Sequence, residues 1–164
     1  MTPRATAYIS IGSNIDPRRH LEAAVRLLAL RARLAGVSTV YRTPPEGTAT
    51  SQDDYLNCVA IIRTGLPREA IGPTLLAPIE GQLGRIRSED RFAPRTIDLD
   101  LVAWERPGRP AWLHDRKMQD DHVRVPLAEL APHLVSPAPA LPAGYQAMAD
   151  LTAKLKRLAR SSAM

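Results

Sequence analysis

The chain has 164 residues, 45% of them hydrophobic and only 4% aromatic, which suits one domain over 1–164 with an aliphatic core and argues against disorder. The formal net charge of +5 suits an anionic small molecule or a nucleic acid without choosing between them. A lone cysteine, Cys58, excludes an intrachain disulfide and fits a cytoplasmic setting; no run approaches the ~18–20 apolar residues of a membrane span, and no secretory signal is expected.

Residues 5–12 alternate and stop at Gly12-Ser13-Asn14, predicting a strand that ends in a loop. Asp16-Pro17 gives a helix start, Asp as cap and Pro as first helical residue. Leu21, Ala24, Val25 and Leu28 recur at helical spacing, and Gly36 predicts the stop. Residues 36–42 read as a short strand, 43–54 as a loop, and 55–65 as a long strand with Tyr55 and Asn57 on one face and Leu56 and Cys58 on the other. A second helix starts at Pro67 and carries Ile71, Leu75, Ile79 and Leu83; Pro78 should kink it or break a bond in it, and Pro73 is equally awkward. Residues 84–95 form an Arg-dense loop, 96–104 a strand, 105–122 a loop or irregular hairpin and 126–130 a short helix. A Pro-rich connection (131–144) and a basic amphipathic helix (145–160) close the chain. The order strand–helix–strand–strand–helix–strand predicts an α/β fold of the ferredoxin-like split βαβ type, an antiparallel-rich sheet with helices packed on one face.

Three groups of residues carry chemistry. Asp98 and Asp100 stand two apart on a strand and therefore share a face, while Ile97, Leu99 and Leu101 point to the core. Carboxylates this close repel, and Mg²⁺ would relieve that while keeping sites for phosphate oxygens; a solvated strand face paired with nearby Arg is the plainer alternative. Arg85, Arg87, Arg91 and Arg95 precede the pair, and guanidinium groups grip polyphosphate in bidentate fashion; alone they also fit a solvated basic loop paired with Glu89 and Asp90. Tyr55 and Asn57 offer a ring to stack on and an amide that donates and accepts, as a flat heterocycle requires, or simply a half-buried strand face. No P-loop pattern is present.

These segments resemble the 6-hydroxymethyl-7,8-dihydropterin pyrophosphokinase family. The matching pieces are residues 8–14 (YISIGSN), 40–45 (VYRTPP) with Gly47, 54–57 (DYLN), 79–87 (IE-x₃-GRIR), 91–101 (RFAPRTIDLDL) and 126–132 (PLAELAP). The resemblance implies a ferredoxin-like fold, ATP as co-substrate with two Mg²⁺ ions, attack of the pterin hydroxyl on the β-phosphorus with release of AMP, and a step in folate biosynthesis. It implies Asp98 and Asp100 as metal ligands and, with Arg85 and Arg95, as the catalytic set. It implies Glu80, Arg87, Phe92, Arg95, Leu101, His114 and Arg116 on the nucleotide side, and Thr43, Pro44, Glu46, Tyr55, Asn57 and His122 on the pterin side. Beyond the acidic pair the sequence offers no evident general base, so positioning and electrostatics should dominate. Both partners are then small molecules, with no nucleic acid, no membrane, and a monomer or weak dimer.

The chain departs from the family pattern after residue 104. Asp120 falls where the family has an Arg that contacts phosphate, and His122 where it has a Phe that closes over the pterin. The loop before His114 is a few residues short, Ala77-Pro78 replaces a polar pair, and Glu46 brings an acid where an apolar residue is usual. These changes imply weaker ATP binding, a changed substrate, or both. A paralogue that binds a pterin or nucleotide without efficient catalysis, or one acting on another hydroxymethyl heterocycle, is the alternative. A nucleic-acid module would use the charge and the basic C-terminal helix, but it leaves the acidic pair unexplained.

Overall fold

The structure, a computed structural model, describes residues 4–45, 52–90 and 92–163; Glu46, Gly47 and Arg91 lie outside the described residues. Among the described residues seven strands form one sheet in which every pairing is antiparallel, with the order β6-β5-β1-β4-β3-β7 and β2 also on β4. The strands are β1 Ala5–Ser13, β2 Arg33–Val37, β3 Tyr41–Thr43, β4 Tyr55–Thr64, β5 Asp98–Glu105, β6 Trp112–Leu113 and β7 Gln146–Ala147. The centre is the expected split βαβ arrangement: β5 and β4 flank β1, and β2 and β3 together occupy the fourth place.

Alternation along β1 and β4 decides what each face meets. Ala7, Ile9 and Ile11 of β1, with Leu56, Cys58, Ala60 and Ile62 of β4, point to one side. There they pack on helix α1 (Pro17–Arg31) through Leu21, Ala24, Val25 and Leu28, on the helical segment after β4 through Ile71, Leu75 and Ile79, and on α5 (Ala149–Ala163) through Leu151 and Leu155. Burying these aliphatic side chains, each worth about 1.5–3 kcal/mol, is the main term holding the layers together. The opposite face was expected to be bare of helices, and there the structure corrects the reading. Tyr8, Val59, Val102 and Ala103 pack against Val123 and Leu127 of helix α4 (Asp121–Leu130). A register shift in the β1–β5 ladder between Tyr8 and Ile9 accompanies the change, turning Val102 to this second core. Helix α4 covers only part of the face, and among the described residues the rest is open.

Three local expectations also change. Asp16 adopts a left-handed backbone (φ 45°) and makes no side-chain cap, so α1 begins on its proline alone. The helix stops at Arg31, and Gly36 lies inside β2. Residues 36–42 are not one strand. Ser38 Oγ takes the place of a backbone acceptor for Val59 N (2.9 Å), while Val40 N donates to Thr152 Oγ1 (2.8 Å) and Val40 O accepts from Met148 N (2.8 Å). The chain therefore leaves β4 at 38–40 to bond to α5. In the second helical segment, the expected disturbance at Pro73 and Pro78 takes the form of altered turns. A short α-turn α2 (Arg68–Ala70) opens into wider π turns over Ile71–Leu76, where Ala77 N reaches Gly72 O, before α3 (Ala77–Gln82) with Pro78 in its first turn. Among the described residues no helix is long and apolar enough to cross a membrane.

Candidate functional site

The uncovered part of the sheet face is the floor of a cleft of about 460 Å³. Two rows of paired residues cross it. Asn57, Gly12 and Asp98 are direct partners on β4, β1 and β5, and Val59, Ser10 and Asp100 form the next row. Partners in antiparallel ladders share a face, so Asn57 and Asp98 stand two strand spacings apart, ~10 Å, with only a glycine between them. A Cβ on Gly12 would lie 2.6 Å from Asn57 Oδ1. A side chain there would push the amide off the floor, which is a physical reason for glycine in this strand interior.

The ring side of the cleft is built on β3 and β4. Asn57, only 5% exposed, donates from Nδ2 to Thr43 Oγ1 at 2.8 Å, which fixes the amide with Oδ1 toward Gly12. Tyr55 stands at the start of β4 with its ring on the cleft, and Pro44 follows Thr43 at the rim. Burial raises the Tyr55 phenol above its ordinary pKa, so it stays protonated.

On the other side the carboxylates meet cations. Asp98 accepts from Arg85 Nη1 at 3.0 Å and Arg95 Nη1 at 3.1 Å, and Asp100 Oδ2 stands 3.2 Å from Lys117 Nζ. Burial pushes the Asp98 carboxyl up, but Lys117, Arg85 and Arg95 outweigh it and hold the group below the ordinary carboxylate range. For Asp100 burial and the charge of Asp98 win, and its pKa is raised. One acid of the pair is thus satisfied by guanidinium groups, while the other carries the strain of proximity. The cleft lies above both, so these ion pairs do not remove the carboxylates from the open face.

The arginines are themselves anchored. Glu80 of α3, 5% exposed, accepts from Arg85 Nη1 and Arg87 Nη2 at 3.2 Å each and from Leu99 N at 3.1 Å. Burial, more than any charge, raises its pKa. Arg85 also donates to Ile97 O at 2.7 Å. The Phe92–Arg95 stretch is tied across the cleft mouth: Arg95 N donates to Asn14 Oδ1 (2.9 Å), Asn14 N to Arg95 O (3.2 Å), and Gln52 Nε2 to Phe92 O (2.7 Å).

Of the residues that the sequence nominated, Thr43, Pro44, Tyr55, Asn57, Arg85, Arg87, Phe92, Arg95, Asp98, Asp100, Arg116 and His122 line this one cleft. Glu80, Leu101 and His114 do not. Glu80 lies beneath the arginines, and Leu101 pairs with Ile9 on the helix-side face of β5. His114 stands in the turn after β6, where Nδ1 accepts from Lys117 N at 3.2 Å and the ring meets Trp112 edge-on at 6.0 Å. Asp120 also lines the cleft, 3.9 Å from His122 Nε2. The sequence reading missed Ser10, Gly12, Ile86 and Lys117. Gly12 carried a readable signal, a glycine inside an alternating strand; a lone Lys in a polar loop carries none.

The chain as a whole is similar to known proteins. The family profile described as 7,8-dihydro-6-hydroxymethylpterin-pyrophosphokinase matches residues 8–132. A curated 2-amino-4-hydroxy-6-hydroxymethyldihydropteridine pyrophosphokinase of Methylorubrum extorquens is 41% identical over 140 residues, covering 79% of this chain and 84% of that protein. Proteins of the same name from Synechocystis sp. and Bacillus subtilis are 38% identical over 138 residues (80% of this chain, 69% of the relative) and 39% over 132 (76% and 77%). The profile match runs from β1 through β5 to α4, taking in every element that builds the cleft, and the chain belongs to the 7,8-dihydro-6-hydroxymethylpterin-pyrophosphokinase family.

Proposed function

We propose that the protein transfers pyrophosphate from ATP to the hydroxyl of 6-hydroxymethyl-7,8-dihydropterin, releasing AMP, as a step of folate biosynthesis. The observation that carries the reading is the crossing row of Asn57, Gly12 and Asp98, which sets an amide that can read a heterocycle beside a carboxylate that can serve a nucleotide. Tyr55 gives the ring a face, Asn57 Oδ1 and the Thr43–Pro44 rim give it edge contacts, and His122 stands across the lining. Arg85 and Arg95 approach the reacting phosphates, and Arg87, Phe92 and Arg116 hold the nucleotide, with His114 and Leu101 contributing from behind the lining.

The donor set fits Mg²⁺. Two hard carboxylates face the cleft, and the charge of one raises the pKa of the other, a repulsion that a dication relieves. Among the described residues no group of three His, Cys, Asp or Glu converges, so the remaining ligands would be phosphate and water, as Mg²⁺ prefers. Mg²⁺ bound there, two ions in this reading, would offset phosphate charge and lower the pKa of the substrate hydroxyl. The chain's own part is placement: the row fixes the hydroxyl near the phosphates, and the arginines meet charge that builds during transfer. The reading extends to a cytoplasmic enzyme, supported by the buried free thiol of Cys58, and to a single domain working as monomer or weak dimer, since one chain supplies the whole cleft.

Incubation with ATP, Mg²⁺ and the hydroxymethyl-dihydropterin tests this. AMP and a diphosphorylated pterin should form together and only when all three are present. Asp120 favours a second reading, in which the cleft binds without transferring, because an acid on the lining repels polyphosphate. Tight pterin binding with no AMP would select it.

A further inference from the structure

The cleft receives cations from two chain segments. Arg85, Arg87 and Arg95 precede β5, whereas Arg116 and Lys117 come from the turn after β6. Lys117 is set apart by what it holds, since its Nζ lies 3.2 Å from Asp100 Oδ2 while Asp98 is held by guanidinium groups. The turn is built to aim it. His114 N donates to Val102 O at 2.9 Å, which ties the turn to β5 two residues past Asp100. Lys117 N donates to His114 Nδ1 at 3.2 Å, and Asp120 N to Lys117 O at 3.1 Å. The side chain is only 16% exposed, so the stem is packed and the ammonium reaches the cleft from a fixed root.

We propose that Lys117 is a phosphate-binding residue of this enzyme: its ammonium, paired with Asp100 here, turns to a phosphate oxygen of the nucleotide when Asp100 serves a divalent cation. The inference rests on the pyrophosphokinase reading. An ammonium and a dication on one carboxylate edge repel at this range. The lysine head rotates on a flexible four-carbon stem, and a polyphosphate in this cleft would offer it negative charge. Lys117 would add to the arginines a cation rooted in a different segment, the turn after β6.

A lysine that merely holds Asp100 makes the contrary prediction, because removing it would free the carboxylate and tighten binding of the metal-loaded nucleotide. Calorimetric titration with α,β-methylene-ATP, whose bridging carbon blocks cleavage, separates the two in the presence of Mg²⁺. Lys117→Met and Lys117→Gln should each weaken binding by roughly tenfold or more, the scale of a lost charged hydrogen bond. Lys117→Arg should restore most of it, and fluorescence-detected binding of 6-hydroxymethylpterin should stay unchanged in all three. Unchanged or tighter analogue binding by the folded Met or Gln variant overturns the Lys117 assignment alone. Wild-type protein that binds no analogue and forms no AMP overturns the pyrophosphokinase reading, and this inference with it.

Discussion

The floor of the cleft and its rim are held by different forces. The floor is three strands with β1 at the centre, and Asn57 and Asp98 are fixed by backbone pairing to Gly12 on either side. The rim is the arginine segment and the 114–122 turn, held by side-chain ion pairs and by a few bonds from Asn14, Gln52 and His114. Ring recognition needs a surface set before the substrate arrives, and a sheet provides one. Phosphate capture needs cations that can change partners, and ion pairs in a half-open cleft can exchange. Asp120 and His122, two of the departures read from the sequence, line the cleft at its rim.

The largest effect expected is from Asp98→Asn, which keeps the shape of the floor and removes its charge. AMP formation should fall by about 10³-fold, in the range seen for lost charge-stabilising groups, while the melting temperature moves little because Arg85 keeps Glu80 and Ile97 O as partners. Gly12→Ala attacks the floor sterically. With its Cβ 2.6 Å from Asn57 Oδ1, it should raise the pterin dissociation constant by roughly tenfold or more and leave nucleotide affinity near wild type; equal loss for both substrates would blur the distinction drawn here. Two arginines then sharpen it. Arg85, 10% exposed and bonded to Glu80, Asp98 and Ile97 O, is framework as well as ligand, so Arg85→Ala should cost about 3–5 kcal/mol of stability besides activity. Arg87, 73% exposed, should lose only a few-fold in nucleotide affinity on change to Ala, with no shift in melting.

The smallest effect lies away from the cleft. Burial pushes Glu105 up, but Tyr8 Oη (2.6 Å) and His133 Nε2 (2.8 Å) overcome it and leave the carboxyl below its ordinary value. A depressed folded pKa stabilises above the unfolded value, ~4.3, and that contribution is lost as pH falls through the folded one. Wild type should therefore melt above Glu105→Gln at pH 7, and the gap should close in acid. A gap that widened in acid would reverse the sign argued here.

Much of the floor was legible because strands declare their faces. Asp98, Asp100, Tyr55 and Asn57 could be placed from alternation alone, and β1, β4 and β5 followed. The break at Ser38–Val40 was not legible, since its bonds go to Val59, Thr152 and Met148, and nothing local announces them. The π turns over Ile71–Leu76 likewise depend on how two prolines share one helix, where sequence predicts trouble but not its resolution. Helix α4 starts five residues before the predicted segment because its first turn, Asp121–Val123, is polar at the cleft and apolar only where it meets Val59. Glu80 was read as a nucleotide-side group, whereas its side chain lies beneath the arginines and bonds to them.

The central claim is that one sheet face brings the nucleotide's metal to Asp98 and Asp100 a short distance from a ring held at Tyr55 and Asn57. Replacing Mg²⁺ by paramagnetic Mn²⁺ and recording the proton spectrum of bound 6-hydroxymethylpterin tests it directly. With α,β-methylene-ATP present, the hydroxymethyl protons should broaden strongly in wild type and stay sharp in Asp98→Ala. Sharp lines in wild type with both ligands bound, or broadening that survives loss of Asp98, would contradict it.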